Sequence, residues 1–575
     1  MRPFRLSTVG RIAIRQWHGT ALVAAFLLFA ATLPRLSDSR EPLPDRWFYA
    51  AKNITDEKQF NDLNGLVDTA AAHGLNGVLL SAAFDSLDRV GPKYFENLAK
   101  LKTHCESRGI EIIPSFMSIG YGGGLLSHDP NLAEGLPVRD ALFVVRGRQA
   151  QVVPDPPVEI RNGDFERWKD NRFPDFNFHD QPGKISFVDQ KVFRSGRASI
   201  RFESFENDPV NGHARILQMV PVHPHRAYVV SLWVKSQDLA GGKFSVQVYS
   251  RERSLTHGEP RLPSATDWRQ VSMAFNSLDT SMVRIYAGVW GAKSGRFWID
   301  DMRIEEVGLV NVLRRPGTPV TVRSEASGTV YEEGRDFEKI ADPRMRIHEA
   351  YHEPPAIRLT AGSRIKDGER LRVSWYHPVV LGSSQITACM SEPKVYEIYQ
   401  RQVELLHKRL APKKYFLSMD EIRAGGTCEA CRAQKKSIGE ILGDCITKQY
   451  KLIKAVNPNA EVYIWSDMLD PNHNAHGDYY MVEGDFSGSW NYIPKDMVIA
   501  CWYYKMRDKS LQHFSRLGFR TIGAAYYDGD DLENCKGWLQ SLRATPGARG
   551  IMYTTWQNKY ALVVPFGDML VEEAK

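Results

Sequence analysis

The chain has 575 residues, of which 43% are hydrophobic and 25% are charged, so it can form several domains with complete cores. Five of its six net positive charges lie in the first 40 residues, which hold six arginines and one aspartate. The rest of the chain carries a net charge of +1, which excludes the basic surface typical of nucleic-acid-binding proteins.

The N-terminal segment combines these arginines with an apolar stretch of 13 residues, Ala21 to Leu33. This stretch is shorter than the roughly 20 residues of a membrane-spanning helix and is typical of a secretory signal. We expect residues 1–40 to be a signal peptide or, if uncleaved, an N-terminal anchor that provides the protein's contact with a membrane. The mature protein is then exported, and is periplasmic, extracellular or anchored facing outside.

Residues 41–154 predict alternating strands and helices. "RWFYAAKN", "LNGVLLSAAF" and "IEIIPSFMSIGYGGG" are typical of buried strands, and the amphipathic segments between them end at Gly74 and Gly109. Residues 155–308 instead show short alternating runs such as "YVVSLWVKS" between turn residues, which predict a β-sandwich or jelly roll. Residues 309–380 remain β-like and predict a small extra β element.

Strand–helix units return in residues 381–575, where the pattern predicts five more strands. Eight such units favour an α/β fold, a (β/α)8 TIM barrel interrupted after its third strand by the jelly-roll module and the small β element. A doubly wound sheet is the structural alternative.

The predicted strand ends carry acids and aromatic rings, and in a TIM barrel the chemistry lies at those ends. A pocket lined by tryptophan and tyrosine around a few carboxylates suits a sugar ring. The residues at these positions are Tyr121, Asp420, Glu421, Trp465, Asp467, Trp502, Tyr504, Tyr527, Asp528 and Trp556.

Asp420 and Glu421 are the most informative pair. Consecutive side chains alternate along a strand, but both can reach one pocket where the strand ends. Glycosidic cleavage requires a carboxylic acid near the leaving oxygen and a second group that stabilises positive charge at the anomeric carbon. Adjacent acids also raise each other's pKa. The alternative is a solvated pair that caps the following helix.

Cys428 and Cys431 form a Cys-x-x-Cys motif directly after these acids. A structural zinc site needs about four ligands, and the sequence shows neither a second such motif nor a nearby histidine pair. The favoured interpretation is that the two cysteines hold a loop as a disulfide or as free thiols, with metal binding and a redox role as alternatives. His473, His476 and Asp478 similarly indicate a turn-rich loop rather than a metal site.

The strand ends "FLSMDE", "YIWSDM" and "GIMYTTW" resemble those of glycoside hydrolase family 20, the β-N-acetylhexosaminidases. The resemblance implies that Glu421 is the acid/base and that Asp420 orients the 2-acetamido group, whose oxygen is the nucleophile. It also implies aromatic walls and a tyrosine near the acetamido oxygen, with these candidates: Trp465, Trp502, Trp556, and Tyr504 or Tyr527. The chain departs from the family at "SM", where the family has two glycines, and at Tyr121, where it has histidine.

Within residues 155–308, "RNGDFERW", "HRAYVVSLWVKS", "ATDWRQVSMAF" and "GRFWIDDMRIEEV" resemble carbohydrate-binding modules of families 4 and 9. That resemblance implies a jelly roll with a structural Ca²⁺, for which Asp164, Glu166 and Asp301 offer oxygen ligands. Trp168 is a candidate sugar-binding ring.

These observations predict an exported glycosidase that acts on an oligo- or polysaccharide, N-acetylhexosamine-containing in the family 20 interpretation. The expected mechanism is retaining and substrate-assisted, with no cofactor for catalysis. One alternative is a glycosidase that uses Glu421 and Asp467 on a non-acetylated sugar. Another is a glycan-binding protein without catalytic activity.

Overall fold

The computed structural model describes residues 41–349, 351–381 and 385–574, so the predicted signal peptide or anchor lies outside the described residues. Within these ranges, none of the helices combines the length and the apolar character needed to cross a bilayer.

A closed barrel of eight parallel strands forms the centre of the molecule. Alternation along the first strand places Trp47 in the interior, 4.8 Å from the Tyr463 ring, while Phe48 packs into the outer core. The first to eighth barrel strands are Asp45–Ala51, Gly77–Ser81, Glu111–Phe116, Lys414–Leu417, Glu461–Trp465, Val498–Cys501, Arg520–Tyr526 and Ala548–Thr554.

The α-helices pack mainly outside the barrel, and two of them, Glu57–Ala72 and Ile438–Val456, begin with a side-chain cap. The helix Ile438–Val456 begins with a capping box. Glu440 donates its backbone N–H to Ser437 Oγ at 3.2 Å, and Ser437 donates its backbone N–H to Glu440 Oε2 at 2.9 Å. The other α-helices are Glu57–Ala72, Pro92–Ser107, Gly123–Leu126, Pro393–Leu410, Glu429–Arg432, Arg507–Arg516, Glu533–Arg543 and Val563–Glu573.

The predicted fold class, a (β/α)8 TIM barrel, is wrong. In that fold an α-helix follows each strand, whereas the chain between the fifth and sixth barrel strands runs through two short 3₁₀ helices and the two-residue strand Met481–Val482. This segment is rich in Asp, Asn, Gly and Pro, which favour turns over helices. The molecule is instead a closed, all-parallel barrel with additional antiparallel sheets, and only about a quarter of it is helical.

Two five-stranded antiparallel sheets form a β-sandwich between the third and fourth barrel strands. Side chains from both sheets, such as Val230 and Ile285, share one hydrophobic core. The first sheet has the order Thr266–Asn276, Ala227–Ala240, Ser294–Glu306, Ser199–Phe202 and Ser186–Asp189. The second has the order Arg253–Gly258, Lys243–Ser250, Met282–Trp290, Ala214–Pro221 and Phe178–His179.

A six-stranded sheet combines chain segments that precede and follow the sandwich in the sequence. In it, the strand Leu136–Arg146 pairs antiparallel with the strand Arg370–His377. A Cβ built on Gly308 would lie 3.6 Å from Val152 Cγ1, so the chain enters and leaves the sandwich at neighbouring points. The strand order is Val330–Tyr331, Thr321–Ser324, Arg370–His377, Leu136–Arg146, Gln149–Val152 and Ile357–Arg358.

A two-stranded parallel sheet connects the loops that follow the fourth and fifth barrel strands. It pairs Ala424–Gly425 with Met481–Val482. The sandwich supports this sheet, because Arg253 donates a hydrogen bond to the Val482 carbonyl at 2.8 Å. The sandwich therefore contacts loops that begin at the barrel mouth.

Candidate active site

A cavity of about 420 Å³ opens at the carboxyl ends of the barrel strands. Barrel mouths are common positions for ligand sites. The cavity combines acids, small hydroxyl side chains and aromatic rings, namely Tyr49, Ser81, Ser115, Tyr121, Ser418, Asp420, Glu421, Trp465, Trp502, Tyr527 and Trp556.

The turn after the fourth barrel strand brings both neighbouring acids into this cavity. Glu421 has a φ of 47°, in the left-handed region, so the backbone leaves the extended conformation there. Ser418 Oγ donates to Asp420 Oδ1 at 3.1 Å, and Gln385 Nε2 donates to the Glu421 carbonyl at 2.9 Å. Asp420 and Glu421 consequently share one cavity although they are consecutive in sequence.

Hydrogen-bond donors hold both oxygens of the Glu421 carboxylate. Arg423 Nη2 lies 2.9 Å from Oε1, and the Tyr121 hydroxyl donates to Oε2. Burial and the adjacent Glu421 charge raise the pKa of Tyr121, so its phenol stays protonated and continues to donate. The Glu421 carboxylate is therefore fixed in orientation within the cavity wall.

Asp420 carries a charge that changes near neutral pH. Burial raises the pKa of this carboxyl to about 6, and the neighbouring Glu421 charge adds to the effect. Tyr49 faces it from the first barrel strand, and burial together with the Asp420 charge raises the pKa of that phenol. The electrostatic character of the cavity should consequently change as Asp420 titrates.

Asp467, the third acid, lies beneath the cavity and has 0% exposed surface. Its carboxyl oxygens accept hydrogen bonds from the Glu421 backbone N–H at 2.8 Å, from Asn474 Nδ2 at 3.0 Å and from Trp502 Nε1 at 3.3 Å. Burial raises the pKa of Asp467 to about 8, and the Asp420 charge contributes to the increase. Asp467 thus positions Glu421 and Trp502 and does not line the cavity.

Aromatic rings form the cavity walls. The Trp502 and Tyr527 rings are 6.1 Å apart and nearly parallel, at 8°, and Trp556 packs 5.0 Å from Tyr49. Tyr527 is 47% exposed and Trp556 is 44% exposed, which leaves ring surface free for a ligand, whereas Trp465 is 4% exposed. Flat apolar surfaces next to carboxylates suit the C–H faces and hydroxyl groups of a sugar.

Besides Asp467, two residues that the sequence places at strand ends do not line the cavity. Tyr504 packs 6.4 Å from the Trp538 ring, with the Arg507 guanidinium 4.3 Å from its own ring centre. Asp528 accepts the backbone N–H of Trp556 at 2.8 Å and thereby shapes the loop after the eighth barrel strand. Tyr504 is a packing residue, and Asp528 acts on the cavity through Trp556.

Other residues that line the cavity or contact its acids were not singled out from the sequence. Tyr49 follows Trp47 by two positions, so alternation along the strand could have identified it as inward-facing. Arg423 follows Glu421 by two positions, but its ion pair depends on the turn at Glu421. Ser81 and the other cavity serines belong to no distinctive pattern.

His473 contributes to the aromatic wall rather than to a metal site. Its ring stacks 4.5 Å from Tyr503 and meets Trp502 edge-on at 4.3 Å. Burial lowers the pKa of His473 to about 4, so the imidazole is neutral at physiological pH. The neutral His473 ring therefore packs against Trp502 and helps to hold it in position.

The residues predicted to bind Ca²⁺ have protein partners in the sandwich. Glu166 accepts the Arg197 backbone N–H at 2.6 Å and pairs with its guanidinium at 3.0 Å, while Asp301 accepts from Ser195 Oγ at 3.0 Å. Asp164 Oδ1 accepts the Glu166 backbone N–H at 3.4 Å. Within the described ranges, these three acids are not among the closely spaced metal-ligating groups. The Ca²⁺ site stays a prediction.

Gly120 lets the loop after the third barrel strand pack directly on the acidic turn. A Cβ at this position would lie 2.0 Å from the Asp420 carbonyl oxygen. We expect Gly120→Ala to lower the free energy of unfolding by ~1–3 kcal/mol, because the clash is with backbone that must move. Urea unfolding followed by tryptophan fluorescence measures the change.

Gly65→Ala is the matched control, because nothing lies within 4 Å of a Cβ there and the residue is inside the helix Glu57–Ala72. Replacing a helical glycine by alanine should increase stability by about 0.5–1 kcal/mol. Equal stability of Gly120→Ala and the unchanged protein would show that the two loops are not packed as described.

The fold and the cavity together define a parallel-barrel protein with a carboxylate-containing, aromatic-walled pocket. No protein-family model matches the chain, and no curated protein matches it. Solved structures that match include TmCBM61 bound to β-1,4-galactotriose, at 18% identity and a TM-score of 0.20, covering 25% of this chain and 96% of that one.

A CBM4 structure matches at 14% identity and a TM-score of 0.20, covering 26% of this chain and 99% of that one. A rhamnosidase from Novosphingobium sp. PP1Y matches at 9% identity and a TM-score of 0.34, covering 92% of this chain and 59% of that one. These scores are too low to support an argument about this chain, and the matches give no support for membership of glycoside hydrolase family 20.

Proposed function

We propose that this protein is a glycoside hydrolase, with Glu421 as the acid/base and Asp420 as the residue that orients a 2-acetamido group of the substrate. One observation carries the proposal: two neighbouring carboxyl groups share a cavity of about 420 Å³ whose walls are tryptophan and tyrosine rings. The acids supply the chemistry of glycosidic cleavage, and the rings supply apolar faces for a sugar.

In the proposed first step, Glu421 in its carboxylic-acid form gives its proton to the glycosidic oxygen as the bond from that oxygen to the anomeric carbon breaks. The acetamido oxygen of the substrate forms a new bond to the anomeric carbon, and Asp420 accepts the acetamido N–H and stabilises the resulting positive charge. Water then attacks the anomeric carbon, the bond from that carbon to the acetamido oxygen breaks and its electron pair returns to the acetamido group, and the water gives a proton to Glu421, which restores the carboxylic acid. Two inversions leave the configuration retained.

The surroundings of Asp467 disfavour a glycosidase that uses Glu421 and Asp467 as its carboxyl pair. Asp467 has no exposed surface, and its oxygens already accept three hydrogen bonds from neighbouring groups. A buried carboxyl group with these partners orients the groups that donate to it, here the Glu421 backbone and Trp502. Asp420 is the second carboxyl group that reaches the cavity.

We also propose that the substrate is an oligo- or polysaccharide met outside the cytoplasm. The support for export is the arginine-flanked apolar stretch within residues 1–40. The support for a glycan is the aromatic surface of Tyr527 and Trp556 at the cavity mouth.

The purified protein should hydrolyse an aryl N-acetyl-β-glucosaminide with a kcat/KM at least ~100-fold above that for the matching β-glucoside, which lacks the intramolecular nucleophile. Initial rates and the anomeric configuration of the first product, read by NMR, measure this. Equal rates on both sugars would contradict substrate assistance. Glycan binding without hydrolysis of any tested glycoside would contradict the enzyme and support a binding protein.

A further inference from the structure

Four metal-ligating side chains converge in the core beside the acidic turn. They are Glu134, Cys389, Cys428 and Cys431, all buried, and their ligand atoms lie within 4.8 Å of one another. Glu134 precedes Cys428 by 294 residues and Cys389 precedes it by 39, so three separate segments meet here. The Cys-x-x-Cys motif supplies only half of the group.

The spacing of these atoms matches a tetrahedral site. Cys389 Sγ lies 3.6 Å from Cys428 Sγ and 3.8 Å from Cys431 Sγ. Four ligands at a Zn–S distance of ~2.3 Å place neighbouring sulfurs about 3.8 Å apart. Glu134 Oε2 lies 3.7 Å from Cys428 Sγ and 3.6 Å from Cys431 Sγ, and a zinc tetrahedron places such an oxygen about 3.5 Å from each sulfur.

Neighbouring groups form hydrogen bonds with one Glu134 oxygen and leave the other oxygen available to a metal ion. Oε1 accepts the Thr427 backbone N–H at 3.0 Å, the Thr427 hydroxyl at 2.9 Å and the Cys428 backbone N–H at 3.1 Å. Oε2 faces the sulfurs. Hydrogen bonds that fix a ligating carboxylate in this way are typical of metal sites.

A buried cation balances part of the negative charge that three thiolates and a carboxylate would carry. Arg315 Nη2 lies 3.5 Å from Cys428 Sγ, and the Arg315 side chain is 5% exposed. Its other nitrogens donate to the Asn131 carbonyl at 2.8 Å and to Glu392 at 2.8 Å, so the guanidinium is held in place.

We propose that Glu134, Cys389, Cys428 and Cys431 bind one structural Zn²⁺. Three soft thiolates and one carboxylate in a closed tetrahedron suit Zn²⁺ better than Ca²⁺ or Mg²⁺, which take oxygen ligands in larger numbers. The distances from Cys389 Sγ to Cys428 Sγ and Cys431 Sγ, 3.6 and 3.8 Å, are far longer than the ~2.05 Å of a disulfide. The four side chains fill all four positions, so the ion holds structure and does not bind substrate.

Metal analysis of the full-length protein, purified with a phosphine reductant, tests the site. Mass spectrometry of the metals should give about one zinc per chain. An organomercurial that blocks the thiols should release that zinc to a colorimetric indicator. Protein that stays below one-tenth zinc per chain after reconstitution with Zn²⁺ would overturn the proposal, as would a disulfide among these cysteines in that preparation.

Reconstitution with Co²⁺ provides a spectroscopic test that is independent of activity. Thiolate-to-cobalt charge transfer in the near ultraviolet, with strong visible bands, is expected for tetrahedral sulfur ligation. Weak octahedral bands alone would contradict the assigned ligands. Neither readout depends on hydrolysis, so failure of the zinc site and failure of the proposed enzyme function are distinguishable.

Variants identify the ligands. Cys431→Ser should lower zinc content severalfold, whereas Cys535→Ser changes a buried thiol outside the cluster and should retain one zinc per chain. If Cys431→Ser does not fold, Glu134→Gln provides a second test because it keeps all three thiolates. In a competition with a chelator, its affinity for zinc should be at least ~10-fold lower than that of the unchanged protein. Unchanged zinc affinity in Glu134→Gln, or equal zinc loss in Cys535→Ser, would contradict the assignment.

Discussion

Replacing Glu421 by glutamine is expected to lower kcat/KM for an aryl N-acetylglucosaminide by ~10²–10⁴-fold, the usual contribution of a general acid/base. Glutamine keeps the size of the side chain but cannot protonate the leaving oxygen. The loss should be smaller for a dinitrophenyl glycoside than for a methyl glycoside, because a good leaving group needs little protonation. Initial rates on both substrates measure this difference.

The control for this variant is Glu397→Gln, which removes an exposed carboxylate from the helix Pro393–Leu410. Its rates should match those of the unchanged protein, since the residue does not line the cavity. Full activity of Glu421→Gln would remove Glu421 from the mechanism. An equal loss on both leaving groups would show that Glu421 does not act as the acid.

Replacing Asp420 by asparagine is expected to lower kcat/KM at pH 7 by ~10²–10³-fold. This is the usual effect of removing one group that stabilises charge developing in the transition state. The pKa of Asp420 is about 6, so the ionised form dominates above pH 6. In the unchanged protein, kcat/KM should fall up to tenfold per pH unit below 6. The variant should lack this decline, and pH–rate profiles of both proteins test the expectation.

The same pKa gives a stability readout with a defined sign. The folded-state pKa of Asp420 is raised above its unfolded value, so the folded chain binds this proton more tightly. The resulting stabilisation is present below about pH 4 and is lost as the pH rises through 6. Asp420→Asn should therefore be at least as stable as the unchanged protein at pH 8.

Asp62→Asn, at an exposed helix position, is the matched control and should leave rates and stability nearly unchanged. An inactive Asp420→Asn protein that is also much less stable at pH 8 would indicate a structural role instead. A decline in kcat/KM below pH 6 that persists in the variant would assign the titration to another group.

Local patterns in the sequence identify much of the cavity. A strand that ends before two acids brings Asp420 and Glu421 to one place, and aromatic residues at other strand ends supply Trp502, Tyr527 and Trp556. These predictions need only the alternation of a strand and the position of its end.

Features that depend on long-range packing are not contained in such patterns. The predicted TIM barrel is wrong because the segment between the fifth and sixth barrel strands, whose residues 473–478 indicate a turn-rich loop, runs through short 3₁₀ helices in place of an α-helix. Tyr504 has the right residue type at a strand end, yet it packs against Trp538. The grouping of Glu134 and Cys389 with the Cys-x-x-Cys motif depends on tertiary folding, because no local spacing connects them.

The neighbouring positions of Val152 and Gly308 have a consequence for the order of folding. The third and fourth barrel strands pair at Ser115 and Phe416, with the whole sandwich between them in the chain. A sandwich that folds first brings its own ends together and roughly halves the free chain between those strands, which lowers the entropic cost of closing the barrel by about 0.6 kcal/mol. Early folding of the insertion thus favours, rather than delays, the meeting of the two halves of the barrel.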